Sequence, residues 1–263
     1  MVRIAINGRP ARVEDLHRAA AWNYGHFTSM QVRQGAVRGL ELHLERMRIA
    51  SRALFNSAVD TDPARIQALL RRSTDAGLNA SVRVTVIPHE SSPVHTDVIV
   101  AVSDPASDTP RPALRVRSTI YERDLAHLKH MATMGLTYQA LQARKDGYDD
   151  VLFIGRDGLV REGSVWNVAF WDGEQVIWPK ADVLPGVTMQ LLQAGLTQVG
   201  VPWTMRPVRA DELPLLLSAV AVNSHCPSQP IACVNDAAFI GDAGALVKAL
   251  DAAWATAEWV SLD

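Results

Sequence analysis

The chain has 263 residues, with 26 basic residues against 28 acidic ones and a net charge of −2. Apolar residues make up 48% and charged residues 21%, an ordinary globular composition that excludes a disordered chain, a collagen, a coiled coil and a small disulfide scaffold. The length suits about two domains, and the balanced charge advertises neither nucleic acid nor an anionic membrane as a partner.

In chain order, residues 2–6 alternate weakly into the Asn7-Gly8 turn. Tyr24 to Arg33 predicts a strand and Leu40 to Asn56 a helix, with Leu40, Leu44, Met47, Leu54 and Phe55 near helical spacing. Pro63 opens a second helix that ends around Gly77. Ser81 to Ile87 and Asp97 to Val102 are β-rich runs. Asp104 to Pro112 carries three prolines and no large apolar side chain, the best domain boundary in the chain. Beyond it, Leu114 to Ile120 predicts a strand and Leu125 to Arg144 a helix. Asp150 to Ile154, Val165 to Phe170 and Gln175 to Trp178 are short strands, divided by Asp157-Gly158 and Asp172-Gly173. Thr188 to Gln198 is a helix, Ala219 to Asn223 and Ile231 to Val234 are strands, and Ala243 to Trp259 is a closing helix. No apolar run suits a signal peptide or a spanning helix. Cys226 and Cys233 form no C-x-x-C pair, and neither they nor His89 and His95 have metal-ligand spacing. These features predict a soluble, cytoplasmic protein.

Only four lysines stand against 22 arginines, which makes each lysine worth weighing. Lys129 lies in His127-Leu128-Lys129-His130-Met131, at the start of the predicted helix. A lysine desolvated or set beside other cations becomes a nucleophile, although most lysines are solvated surface residues. Arg161-Glu162-Gly163-Ser164-Val165-Trp166-Asn167 places a carboxylate and small polar residues after a tight turn. Leu184-Pro185-Gly186-Val187-Thr188 immediately precedes a helix, whose first N–H groups suit a phosphate. His43-Leu44-Glu45-Arg46 offers an arginine to the same kind of anion. Asn223-Ser224 stands just upstream of Pro230-Ile231. Each segment has a plain structural explanation taken alone. Their order and spacing argue against coincidence.

That order resembles the class IV aminotransferases, pyridoxal-phosphate enzymes of fold type IV. The resemblance runs from about Trp22 to Val234, through Tyr24-Gly25-His26-Phe27, His43 to Arg46, a Pro-rich linker, Lys129, E-G-S-x-x-N at 162–167, L-P-G-V-T at 184–188 and Ser224. It implies an α/β fold with a small N-terminal α/β domain over 1–107 and a linker at 108–112. A C-terminal cofactor-binding domain of short strands wrapped with helices would span 113–263. It further implies that Lys129 holds pyridoxal phosphate as a Schiff base and shuttles the Cα proton. Glu162 would face the pyridine nitrogen. Arg46, the backbone of Val187 and Thr188, and the Ser224 hydroxyl would hold the phosphate. Substrates would be an amino donor and a 2-oxo acid, with Tyr24, Phe27 and Arg83 as substrate-side candidates, and the chain would form a homodimer.

Three departures accompany the resemblance. Thr28 stands where family transaminases carry an acidic residue. Met134 stands where branched-chain enzymes carry a tyrosine. Val84-Thr85-Val86-Ile87-Pro88 lacks the substrate-carboxylate arginine of the D-amino-acid enzymes. Arg83 shares a strand face with Thr85, so it is either a substitute for that arginine or an outward-facing residue. Three readings therefore stand: a transaminase, a lyase of the aminodeoxychorismate type, and a pyridoxal-phosphate-binding protein of reduced activity.

Overall fold

A computed structural model describes residues 2–75 and 77–262. The chain divides into two compact units, one of Met1–Ser107 with Leu128–Ala132 and Glu258–Asp263, the other of Asp108–His127 with Thr133–Ala257.

The first unit contains β1 (Arg3–Ile6), β2 (Arg9–Pro10), α1 (Val13–Trp22), β3 (His26–Arg33), β4 (Ala36–Arg38), α2 (Leu40–Phe55), α3 (Pro63–Ser73), β5 (Ala80–His89) and β6 (Ser92–Ser103). The C-terminal strand Trp259–Ser261 joins them in a sheet of order C-terminal strand–β4–β3–β5–β6–β1–β2. The antiparallel register pairs Thr28 with Val84 and Phe27 with Thr85, and β6 continues these rows with Val100 and Ile99. Directly paired residues share a face, so alternation gives the sheet two different sides. Met30, Val32, Val82, Val84, Val86, Val98, Val100 and Val102 pack with Leu44 and Met47 of α2 and Ile66 and Leu70 of α3 as the unit's main core. Phe27, Ser29, Arg83 and Thr85 occupy the other side, beside a small cluster of Ile6, Ile87 and Ile99.

The second unit contains β7 (Leu114–Ile120), α4 (Met134–Lys145), β8 (Asp150–Ile154), β9 (Val160–Gly163), β10 (Asn167–Trp171), β11 (Val176–Pro179), α5 (Val187–Gln198), β12 (Trp203–Arg206), β13 (Ser218–Asn223), β14 (Cys226–Val234), β15 (Ala237–Ala238) and α6 (Gly244–Ala255). Its sheet runs β12-β11-β10-β13-β14-β7-β8-β9, with β15 against β14. The central strands β8, β10, β11 and β13 are covered on both faces, so they are buried almost throughout rather than alternating. Leu152, Val168, Phe170 and Ala221 point into one core. Ala169, Val220 and Trp178 meet α5 and α6 on the other side, and Val151 and Phe153 meet α4.

Several elements differ from the sequence expectation. The helix expected from Leu125 begins at Met134. Residues 124–128 form turns instead, with Leu125 in the left-handed region at φ 47°, a conformation that interrupts a right-handed helix. The closing helix stops at Ala255, and Trp259 lies in a strand paired with Arg38. The sequence reading does not anticipate helix α1 or the short strands β2, β4, β9, β12 and β15. Asp15 secures the start of α1 by accepting the Arg12 N–H at 2.9 Å.

Candidate active site

Lys129 does not open a helix. The segment around it pairs with the free edge at the start of β3: the Phe27 N–H donates to the Lys129 carbonyl at 2.9 Å, and the Met131 N–H to the Gly25 carbonyl at 2.8 Å. His26 and His130 sit opposite one another in an antiparallel bridge. Lys129 and Phe27 therefore share the sheet face away from the main core. The Lys129 Nζ lies 4.9 Å from the centroid of the Phe27 ring, a cation–π distance, and the lysine is half-buried. Gly25 is required for this arrangement, because a Cβ there would stand 2.3 Å from the Val86 carbonyl and 2.9 Å from the Met131 sulfur.

On the opposite face of β3, two buried hydrogen bonds tie the strand to α2. Thr28 Oγ1 lies 2.7 Å from Nδ1 of His43, and His26 Nε2 lies 2.8 Å from the Ser51 hydroxyl. Burial pushes the pKa of both histidines down to about 3, and the charges of Arg46 and Lys129 depress His43 further. Arg46 is half-buried, one turn along α2 from His43. Thr28, and Val86 of the run that lacks the carboxylate arginine, thus fall on the core side of the sheet, not on the side that carries Lys129.

In the second unit the Glu162 to Asn167 segment runs from the end of β9 through a tight turn at 164–166 into β10. Gly163 lies against the indole of Trp166, where a Cβ would come within 2.0 Å of the ring. The Trp166 indole N–H and the Ser164 hydroxyl both donate to Asp150 Oδ2 at 2.9 Å. These contacts aim Glu162 inward, 5% exposed. Its Oε2 accepts from the Leu184 N–H at 3.1 Å and from the Asn167 amide at 3.4 Å. Its Oε1 lies 3.8 Å from an Arg123 guanidinium nitrogen. The Asn167 amide also donates to the Leu184 carbonyl at 2.8 Å, and Gly186 passes so close that a Cβ would stand 2.1 Å from Asn167 Oδ1. The E-G-S-x-W-N and L-P-G-V-T segments are thereby one hydrogen-bonded assembly.

Val187 and Thr188 are the first two residues of α5, both buried, and Gly186 before them supplies no capping side chain. Their N–H groups belong to the first turn, which has no intrahelical acceptors. Ser224 is half-buried in the turn between β13 and β14, where the Asn223 side chain accepts the His225 and Cys226 N–H groups at 2.8 and 3.0 Å. Tyr24 is 42% exposed, donates to the Leu54 carbonyl at 2.9 Å and packs edge-on to Phe55. Met134 is 81% exposed. Arg83 is exposed, with its guanidinium carbon 3.5 Å from the Phe27 ring centroid and its Nε donating to Thr85 Oγ1 at 3.3 Å. Sequence reasoning passed over Arg123 and Asp150. Arg123 had one available signal, an arginine six residues before the singled-out lysine; Asp150 had none, since its partners lie 14 and 16 residues on. Among the described residues no group of three His, Cys, Asp or Glu side chains is placed to hold a metal ion. None of their helices is long and apolar enough to cross a membrane.

The architecture is that of a mixed α/β aminotransferase fold. A model of the amino-transferase class IV family matches residues 25–233, and the chain belongs to that family: it is a transaminase. Among solved structures, it resembles a hypothetical aminotransferase from Mycobacterium tuberculosis in its PLP-bound form, with TM-score 0.80 and 20% identity over 95% of this chain and 98% of that one. The alpha-ketoglutarate and PMP bound form of that aminotransferase gives TM-score 0.81 at 19% identity, over 95% and 98% of the two chains. The Escherichia coli branched-chain amino acid aminotransferase gives 0.82 at 16% identity, over 95% and 92%. These likenesses show the fold. No curated protein matches the chain.

Proposed function

We propose that this class IV aminotransferase works with pyridoxal phosphate held on Lys129 and moves an amino group between an amino acid or amine and a 2-oxo acid. The observation that carries the reading is the placement of Lys129: its backbone is pinned to β3, and its half-buried amine lies against the Phe27 ring. The donor chemistry fits the cofactor. A helix start with no capping side chain suits a phosphate, and a buried carboxylate suits a protonated ring nitrogen. When bound, the cofactor supplies a carbonyl that condenses with amines and a ring that accepts carbanion electrons.

In this reading Arg46, the N–H groups of Val187 and Thr188, and the Ser224 hydroxyl hold the phosphate. Glu162 keeps a proton on the ring nitrogen, itself steadied by the Leu184 N–H, Asn167 and Arg123. The Lys129 amine takes the substrate's Cα proton and returns it. Phe27 walls the substrate side. We take 108–112 as the linker between domains at 1–107 and 113–263; residues 128–132 and 258–263 pack with the first unit. We also propose a cytoplasmic homodimer without nucleic-acid or membrane partners. Exposed Met134, Tyr138 and Leu141, spaced along one face of α4, support the dimer.

The test is the absorption spectrum of the purified protein beside Lys129→Ala. A near-violet band, bleached by borohydride to leave the cofactor covalently on Lys129, is expected from the wild type alone. Conversion to the pyridoxamine form by an amino donor, reversed by a 2-oxo acid, separates transamination from elimination. A wild type that stays colourless after incubation with pyridoxal phosphate overturns the reading.

A further inference from the structure

The buried aspartates of this chain do two different things. Asp15, Asp60 and Asp97 are each paired with an arginine, namely Arg9, Arg65 and Arg18. Asp150 instead turns its carboxylate to the donors of a single turn. Its Oδ2 accepts the Ser164 hydroxyl and the Trp166 indole N–H, both at 2.9 Å, and its Oδ1 accepts the Val151 N–H at 2.8 Å. Asp150, Ser164 and Trp166 are all buried, while Val165 between the two donors is exposed. The turn is closed by the Gly163 N–H, which donates to the Trp166 carbonyl at 2.8 Å.

The register of β8 and β9 shows why Glu162 needs an external support. Leu152 pairs with Gly163 and Ile154 with Val160, so two steps along β8 are matched by three along β9. The extra residue falls at Arg161 or Glu162. A bulge of this kind re-aims a side chain and interrupts the ladder beside it. Asp150 stands two residues before Leu152, on the same face of β8, where β9 has ended and the chain enters the turn. Its bonds to Ser164 and Trp166 continue, through side chains, the pairing that the backbone has given up. The turn so held bears on Glu162 from both ends. Gly163 follows Glu162 in the chain, and Asn167, just past Trp166, donates to the Glu162 carboxylate at 3.4 Å.

We propose that Asp150 is a positioning residue: by holding Ser164 and Trp166 it fixes the turn that aims Glu162 at the cofactor's ring nitrogen. This rests on the reading of Glu162 as the partner of that nitrogen. Each of the three groups bonded to Asp150 is a donor, which suits an acceptor-only carboxylate. An asparagine of the same shape has a single acceptor oxygen. Its NH2 must oppose either the Val151 N–H or the indole N–H of Trp166, and neither has a lone pair to accept with. Asp150→Asn therefore disturbs the turn while keeping the volume of the side chain.

The test compares two ligands that differ at one ring atom: pyridoxamine phosphate and its carbocyclic analogue, in which the ring nitrogen is replaced by a C–H group. Neither carries a carbonyl, so neither bonds covalently to a lysine. Each is titrated calorimetrically into the full-length, cofactor-free wild type, Asp150→Asn, Glu162→Gln and Gly195→Ala, with circular dichroism confirming that each is folded. Wild type is expected to prefer pyridoxamine phosphate by about tenfold or more, the worth of a hydrogen bond to a charged group. Glu162→Gln should remove most of that preference, and Asp150→Asn should cut it by about fivefold or more. A merely structural role for Asp150 would weaken both ligands alike and leave their ratio intact. Gly195→Ala, which loosens the packing of α5 on α6 instead, should keep the wild-type ratio. A ratio in Asp150→Asn within twofold of wild type overturns the proposal, as does an equal fall in Gly195→Ala. If Asp150→Asn does not fold, Ser164→Ala decides, since it removes one of the two bonds: its ratio should fall by about threefold, and an unchanged ratio overturns the proposal. A wild type that binds both ligands alike removes the Glu162 reading itself, and the proposal with it.

Discussion

The Thr28 hydroxyl and Nδ1 of His43 lie 2.7 Å apart, both fully enclosed between β3 and α2. With the parallel contact from His26 to Ser51, this bond fastens the strand that carries Phe27 to the helix that carries Arg46. The neutral histidines make the fastening sensitive to acid. Both have folded-state pKa values of about 3, below the unfolded value of 6.5. Between those limits the unfolded chain binds more protons, so stability rises with pH. The contribution is fully present above about 6.5 and is lost as pH falls toward 3. Urea midpoints measured from pH 7 to pH 4 should therefore decline, and His43→Asn should flatten the decline. An unchanged slope would show that His43 is not the group responsible.

Gly163 has no room for a side chain. A Cβ there would penetrate the Trp166 indole, which is itself held by Asp150. Gly163→Ala should cost about 1–3 kcal/mol through forced repacking, read as a lower melting temperature. Because Glu162 is the adjacent residue, the same variant should also retain pyridoxal phosphate less well in equilibrium dialysis. Wild-type values in both measurements would refute the close packing.

Arg123 and Glu162 are each 7% exposed in their side chains and lie 3.8 Å apart. Burial lowers the Arg123 pKa, and the Glu162 carboxylate partly restores it. Arg123→Leu leaves a buried carboxylate without its cation and should cost about 3 kcal/mol in urea unfolding. Adding Glu162→Gln should recover part of that loss, because the stranded charge is then gone. Strict additivity of the two substitutions would show that they do not interact.

Helices α5 and α6 approach through Gly195, where a Cβ would stand 2.2 Å from the Ala253 carbonyl. The obstacle is backbone, so it cannot rotate aside. Gly195→Ala should destabilise the second unit by roughly 2 kcal/mol, although alanine is the better helix former. A raised melting temperature would contradict the contact.

Much of this is legible in the sequence. The Val-rich alternation of β5, the arginine-studded amphipathic α2 and the glycines at 163 and 186 are local signals, and each lies where its pattern indicates. The E-G-S-x-W-N and L-P-G-V-T segments stood out in sequence, though not the hydrogen bonds that join them. Scarcity and family resemblance single out Lys129, but its segment pairs with β3 instead of opening the expected helix. The apolar spacing of 125–144 suits a helix. Nothing local announces that Leu125 adopts a left-handed φ or that β3 leaves an open edge. Trp259 was likewise absorbed into a helix because its strand partner, Arg38, is more than 200 residues away.

The sequence alone determined what depends on neighbours along the chain: the strand and helix periods, the glycine turns, the residues able to act as base, carboxylate and anion donors. Tertiary structure decided which strand edge receives residues 129–131, which face of β3 is core, and hence that Thr28 meets His43 while Phe27 meets Lys129 and Arg83. The physical reason is that alternation assigns side chains to two faces without saying which is buried. That choice belongs to α2 and α3, whose apolar stripes gain by covering the valine face and leave the other side of the sheet to charged residues.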